Sequence, residues 1–202
     1  MGHHRPCCAG RRVGSRRGGD HDLRPRPPRH PLTGRSSPRI SYSGTVTDFE
    51  IVAATGIDAA ELLVLTRACW VQEAIENDTL DIPALNESLA QVRSDLERWD
   101  TYIVRRGGRL VASVRGRLAV EPDGGSVWEI GRLMVAPDLQ GAGLGRRLLD
   151  FIVGVAPDDA RSFSLYTGAR SMRNQRMYQA AGFVLRLDLT APPSAVILTR
   201  DR

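Results

Sequence analysis

The run Leu133-Met134-Val135-Ala136-Pro137-Asp138-Leu139-Gln140-Gly141-Ala142-Gly143-Leu144-Gly145-Arg146-Arg147-Leu148-Leu149 reads as a strand that passes through three glycines into a helix. Glycine leaves no side chain in the way, so the N–H groups of residues 141–146 can converge on phosphate oxygens at the positive end of the helix dipole. A pyrophosphate is the natural guest. Arg146 and Arg147 fall on the first turn, where a cation opposes the dipole unless an anion sits there. The plainer alternative is a tight turn with two solvated arginines. A dinucleotide fingerprint would need a further glycine at position 146, and Arg146 excludes that reading.

Other chemistries fall by absence. All 28 basic residues are arginine, and the four histidines (His3, His4, His21, His30) lie in the first 44 residues. A Ser-His-Asp triad or Cys-His dyad needs an imidazole, and a Walker loop or pyridoxal Schiff base needs a lysine. The common zinc sites that use histidine lack ligands too, so no metal is expected. Cys69 falls in an apolar helical pattern and reads as a core residue, while Cys7 and Cys8 are adjacent. That is no disulfide framework, and it fits a reducing cytoplasm.

The elements that would position the glycine run are legible around it. A short strand over residues 49–53 precedes Asp58 and Glu61, whose capping-box spacing opens a helix carrying Leu62, Leu65 and Cys69. Pro83 stands near the start of a second helix, with Leu85, Leu89, Val92, Leu96 and Trp99 as its apolar stripe. Residues 102–105, 110–120 and 127–135 read as three strands joined by turns at Gly107-Gly108 and Asp123-Gly124-Gly125, an antiparallel meander. The helix after the glycines presents Leu144, Leu148, Phe151, Ile152 and Val155, and a strand over residues 163–167 follows, completing a strand, helix, parallel-strand unit. A last helix over residues 171–181 stops at Gly182, ahead of strands over 183–187 and 195–199. The fold class is mixed α/β.

The glycine run resembles the acyl-CoA site of the GCN5-related N-acetyltransferases, whose signature Gln/Arg-x-x-Gly-x-Gly/Ala is met by Gln140, Gly143 and Gly145. Leu133, Val135 and Pro137 before it, and Asn174, Tyr178, Gly182 and Phe183 after it, match the family in order and spacing. The resemblance covers residues 46–202 and implies a mostly antiparallel sheet, splayed at the cofactor site, with helices on both faces. It implies acetyl-CoA as co-substrate, held by the backbone of Leu133, Met134 and Val135, by the loop and first turn from Gln140 through Gly141, Ala142, Gly143, Leu144 and Gly145 to Arg146, and by Asn174. Tyr178 matches the tyrosine that protonates the departing thiolate, with a plain core tyrosine as the alternative. Gly131 suggests the bulge that splays the strands, or else a glycine packed under a neighbour. Glu129 stands six residues before Val135, where one branch of the family carries its catalytic glutamate, and burial beside Trp128 and Ile130 would raise its pKa. It reads equally as a carboxylate paired with an arginine.

The implied reaction is direct acetyl transfer to a primary amine, of a small molecule or of a peptide N-terminus; a non-catalytic acyl-CoA sensor is the competitor from another class. Trp70, Glu73, Glu76 and Asp78 gather near the end of the first helix, either to attract a cationic amine or as a solvated face. A homodimer is compatible with all of this. The chain has 202 residues and a net charge of +5, split between +8 over residues 1–44 (ten Arg against Asp20 and Asp22) and −3 over the rest. Residues 1–45, rich in Arg, Pro and Gly, read as a disordered tail or dispensable extension, and only that segment argues for nucleic acid. The longest apolar stretch, residues 51–66, is broken by Asp58 and Glu61, short of the roughly 20 residues a membrane span needs. The expectation is therefore a cytoplasmic protein with no membrane partner.

Overall fold

The computed structural model describes residues 49–202 apart from 122 and 123; the expected tail and the Asp123 position of the second turn lie outside these residues. Strands β1 (Ile51–Ala53), β2 (Asp100–Arg106), β3 (Arg109–Val120), β4 (Ser126–Val135), β5 (Ser162–Gly168), β6 (Val184–Arg186) and β7 (Ala195–Asp201) form one sheet in the order β1-β2-β3-β4-β5-β7-β6. All pairings are antiparallel except β4 with β5, which helix α3 (Leu144–Gly154) connects by a crossover. Helices α1 (Ala59–Asn77), α2 (Leu89–Arg98) and α4 (Met172–Gln179) complete the set. The mixed α/β meander and crossover expected from the sequence are both present.

Two helix starts differ from expectation. Asp58 does not cap α1 through Glu61: its carboxylate accepts from the Thr55 N–H at 2.7 Å, closing a box one turn earlier, and then takes Arg105 at 2.7 Å. Glu61 joins the same Arg105 at 2.8 Å, so the pair tethers α1 to β2. Pro83 opens a separate 3-10 turn, Pro83–Leu85, and α2 begins six residues later, after Ser88, whose box with Gln91 caps it. The phase of the apolar stripe survived because Leu89, Val92 and Leu96 still turn inward, while Leu85 belongs to the preceding turn.

Side chains alternate across β4 and divide the helices between two faces. Trp128 is buried against α3, donating its indole N–H to the Ile152 carbonyl at 3.1 Å. Met134 points the other way, its sulfur accepting from Thr66 Oγ1 of α1 at 3.4 Å. Trp128 also explains Gly116 on β3, where a Cβ would lie 2.3 Å from the indole. The core thus runs on both sides of β3 and β4, with α1 and α2 covering one face and α3 the other.

The sheet parts in the middle of β4. Pairing with β5 covers only Val127 to Ile130, the last register being Ile130 with Leu165. Against β3 the register then slips, Met134 facing Ser113 but Gly131 facing Arg115, so β4 carries one extra residue. This is the bulge expected at Gly131, but the left-handed residue is its neighbour Arg132, at φ +47°. A Cβ on Gly131 would find ordinary contacts, 3.4 Å to Arg115 Nε and 3.6 Å to the Trp99 ring, so glycine there is tolerated rather than required. Residues 131–135 leave the bulge with their β5-facing edge unpaired to β5.

Candidate active site

The open edge of β4 leads into the glycine loop. Pro137–Leu139 forms a 3-10 turn, Gly141 and Gly143 take φ of +87° and +81°, and α3 starts at Leu144. Those left-handed angles are what the glycines supply, because a side chain there pays for its Cβ. The first backbone bond of α3 runs from the Arg147 N–H to the Gly143 carbonyl at 3.2 Å. Among the described residues, no backbone carbonyl accepts from the N–H groups of residues 141–146. Helix geometry leaves the first few donors orphaned in any case, and the loop adds more, all at the positive end of α3. Gly141, Ala142 and Gly143 are exposed, and a Cβ on Gly143 would meet nothing within 4 Å, so the space before these donors is open.

The remaining expected residues sort by what they touch. Gln140 donates to the Val135 carbonyl at 3.2 Å and accepts from Arg173 Nη1 at 3.3 Å, bracing the loop against β4 and α4. Val135 also receives the Cys69 thiol at 3.3 Å; that thiol is buried, as expected, and burial pushes it up to about 11. Leu133 packs under the loop, where a Cβ on Gly145 would lie 3.6 Å from it and 3.5 Å from Met177 of α4. Met134 faces α1 with its side chain, so only its backbone belongs to this edge. Arg146 spends its guanidinium on Asp150 at 2.9 Å and on the Ala180 carbonyl at the end of α4 at 2.9 Å. It therefore offers the loop its backbone N–H and no side-chain charge. Arg173, which sequence reasoning passed over, leans in its place, Nη2 standing 4.0 Å from where a Gly141 Cβ would be.

Helix α4 carries Asn174 and Tyr178 one turn apart on the side that meets α1. Asn174 donates Nδ2 to Glu73 Oε1 at 2.5 Å, which leaves its Oδ1 free to accept. Ser171 donates to the other Glu73 oxygen at 2.5 Å, and Asn77 bonds Ser171 Oγ at 3.0 Å and receives the Arg170 N–H at 2.9 Å. Glu73 is thus neither a solvated helix-face residue nor a free attractor of amines; it is half-buried and ties α1 to the start of α4. Burial pushes its carboxyl up, with the Glu76 charge in the same sense, against the hydrogen bonds from Ser171 and Asn174. Tyr178 is 7% exposed, edge-on to Phe183 at 6.3 Å, and burial followed by the nearby Glu73 charge raises its phenol above the ordinary value. A tyrosine raised in this way keeps its phenolic proton at physiological pH.

Glu129 lies apart from this cluster in its contacts. Its Oε2 is ion-paired with Arg117 across the β3–β4 ladder, on the face turned to α2, while its Oε1 has no protein partner among the described residues. Trp128 and Ile130 point to the opposite face of the strand and do not shield it, so the burial argument made from their adjacency in sequence does not apply. No group of three or more acidic, histidine or cysteine side chains able to hold a metal occurs among the described residues, and no helix there is long and apolar enough to cross a membrane.

A sheet parted beside a run of unpaired donors at a helix start is an arrangement that a phosphate-bearing group can use, and a buried tyrosine stands on the next helix. The family model described as the acetyltransferase (GNAT) family matches residues 65–183, and the chain belongs to that family of acetyltransferases. No curated protein matches the sequence. Solved structures with the same fold include the GNAT domain of S. lividans PAT, at 18% identity and TM-score 0.62, covering 77% of this chain and 92% of that one. The PaiA N-acetyltransferase of Thermoplasma acidophilum in complex with coenzyme A gives 14% identity and TM-score 0.61, covering 77% and 100%. The ribosomal-protein-alanine N-acetyltransferase of Brucella melitensis gives 19% identity and TM-score 0.59, covering 75% and 99%.

Proposed function

We propose that this acetyltransferase moves the acetyl group of acetyl-CoA directly onto the primary amine of a small molecule. The observation that carries the reading is the run of unpartnered N–H groups over residues 141–146, set where β4 has parted from β5. A pyrophosphate fits those donors, and the open edge of residues 131–135 is where an amide-bearing arm can add as if it were a strand. Acetyl-CoA brings the activated acyl carbon; the chain's own residues hold, orient and move protons around it.

In this reading the N–H groups of 141–146 bind the diphosphate and Arg173 adds positive charge at the rim. The backbone of Leu133, Met134 and Val135 aligns the arm, and Asn174 Oδ1 accepts from it because Glu73 has claimed the amide nitrogen. Both Glu73 oxygens are engaged, so Glu73 is a positioning residue. Tyr178 delivers its phenolic proton to the leaving sulfur. Glu129, with Oε1 free, draws the proton from the incoming amine through water. The test is thiol release from acetyl-CoA across small amines and peptides with free N-termini: small amines should turn over, and tight cofactor binding without thiol release on either panel would make the protein a sensor. Turnover of peptides alone would move the acceptor to a protein N-terminus.

A further inference from the structure

On the face of β4 opposite the glycine loop, α1 and α2 cover a small cavity of about 20 Å³ bordered by Thr66, Glu87, Asp95, Ser113, Arg115 and Arg132. Three buried polar atoms border it without a hydrogen-bond partner: Ser113 Oγ, Arg115 Nε and Arg132 Nε, the only such side-chain atoms among the described residues. Ser113 is wholly buried, and the side chains of Arg115 and Arg132 are only 15% and 17% exposed. Buried polar groups are nearly always satisfied, so three orphans around one hole mean that the hole receives something.

The donors say what it is. Each arginine already holds one carboxylate, Arg115 with Asp95 at 2.7 Å and Arg132 with Glu87, and each is stacked on an indole, Trp99 at 4.3 Å and Trp70 at 5.0 Å. Those contacts use a terminal nitrogen and the flat face of each guanidinium and leave the buried Nε–H groups of these two cavity-lining residues without a partner. An N–H of a guanidinium only donates, so the guest must accept. The charged residues that line the cavity balance, Arg115 and Arg132 against Asp95 and Glu87, so a guest is recognised there by the three unsatisfied polar groups and not by net charge. Arg132 is moreover the bulge residue directly before Leu133, so the cavity adjoins the strand edge along which the arm of acetyl-CoA is proposed to lie.

We infer that this cavity is a subsite for a carboxylate of the acceptor, and that the substrate class is small amines that also carry a carboxylate, amino acids being the simplest. One carboxylate oxygen enters the hole and takes Ser113 Oγ–H and the two Nε–H groups, while the amine remains at the strand edge. This rests on the acyl-transfer reading above and narrows its acceptor.

The experiment pairs each common amino acid with the amine left by removing its carboxyl group. Acetyl-CoA turnover is measured on the full chain, and the arginine Nε–H resonances are followed by NMR during titration with the same compounds, assigned through Arg115→Lys and Arg132→Lys. Charge-assisted bonds of this kind predict a kcat/KM roughly 10- to 100-fold higher for the best amino acid than for its decarboxylated partner. Arg132→Lys, which keeps the charge but removes Nε–H, should shrink that ratio toward one, and the Nε–H signals should move only with carboxylate-bearing compounds. Equal turnover within the pairs would overturn the subsite while leaving acetyl transfer intact. Moving Nε–H signals without any turnover would uphold the subsite and count against the transfer reading. Signals that stay fixed for every compound would overturn the subsite, leaving the cavity to water.

Discussion

The two faces of β4 carry two kinds of site. Beside α3 the surface is built from backbone: unpaired N–H groups at glycines whose positive φ angles fix where they point. Beside α1 and α2 it is built from side chains, with two half-buried arginines, each paired with an acid and stacked on an indole. A backbone surface can bind the constant part of a ligand and tolerate change in almost every neighbouring side chain. A side-chain surface can be retuned residue by residue, which suits the part of the reaction that varies, the acceptor. The bulge at Arg132 joins the two, since the pairing of β4 with β5 ends beside it and its guanidinium lies on the face of α1 and α2.

Substitutions can break this division in order of expected effect. In the proposed reaction Tyr178→Phe removes the proton for the leaving sulfur and little else, because the ring keeps its contact with Phe183; kcat should fall about 100-fold or more in steady-state assays while acetyl-CoA affinity stays within about twofold. Gly143→Asp sets a negative charge against the donors. Its Cβ meets nothing within 4 Å, but the φ of +81° strains any side chain there, so the charge should show as coenzyme A binding weakened in calorimetry by about 2 kcal/mol or more beyond Gly143→Ala, which carries the same strain without the charge.

Stability should respond at a third place, the corner that holds Asn174 in line. A Cβ on Gly168 would lie 2.3 Å from Asn77 Nδ2 and 2.5 Å from Ser171 Oγ, both buried. Gly168→Ala should therefore destabilise by about 1–3 kcal/mol in denaturant unfolding, against a near-neutral Gly145→Ala, whose neighbours start at 3.5 Å. The smallest effect is a pH slope. Burial holds the Glu73 carboxyl above its unfolded value of roughly 4.3, so ionisation costs the folded state something that is absent below that pH and grows until the folded value is passed. The stability of the wild type relative to Glu73→Gln should consequently fall as pH rises from about 4 toward neutrality; a rise would mean that the Ser171 and Asn174 bonds outweigh burial.

What could be read from the chain follows the same division. Glycines at 141 and 143 before an apolar helix leave a pattern in sequence because their left-handed φ angles favour glycine, and the meander announces itself by alternation and paired glycines. Glu73 meeting Asn174, 101 positions apart, leaves no such pattern. Nor does Arg173 replacing Arg146 as the cation beside the loop, since two arginines on adjacent helices look alike until α4 docks. Nothing in the sequence marks Arg115 or Arg132 as partly buried; Asp95 and Trp99 hold the one, Glu87 and Trp70 the other, and all four partners are distant in sequence. Both helix starts that differ from expectation carry a local signal, since Thr55 with Asp58 and Ser88 with Gln91 each stand at capping-box spacing.

In the proposed reaction bare main-chain donors over residues 141–146 grip the diphosphate of acetyl-CoA. A crystal structure with coenzyme A tests it most directly. The phosphates should lie against those N–H groups, with the pantetheine arm running along residues 133–135 beside Asn174; phosphates bound elsewhere, with the glycine turn left to solvent, would contradict it.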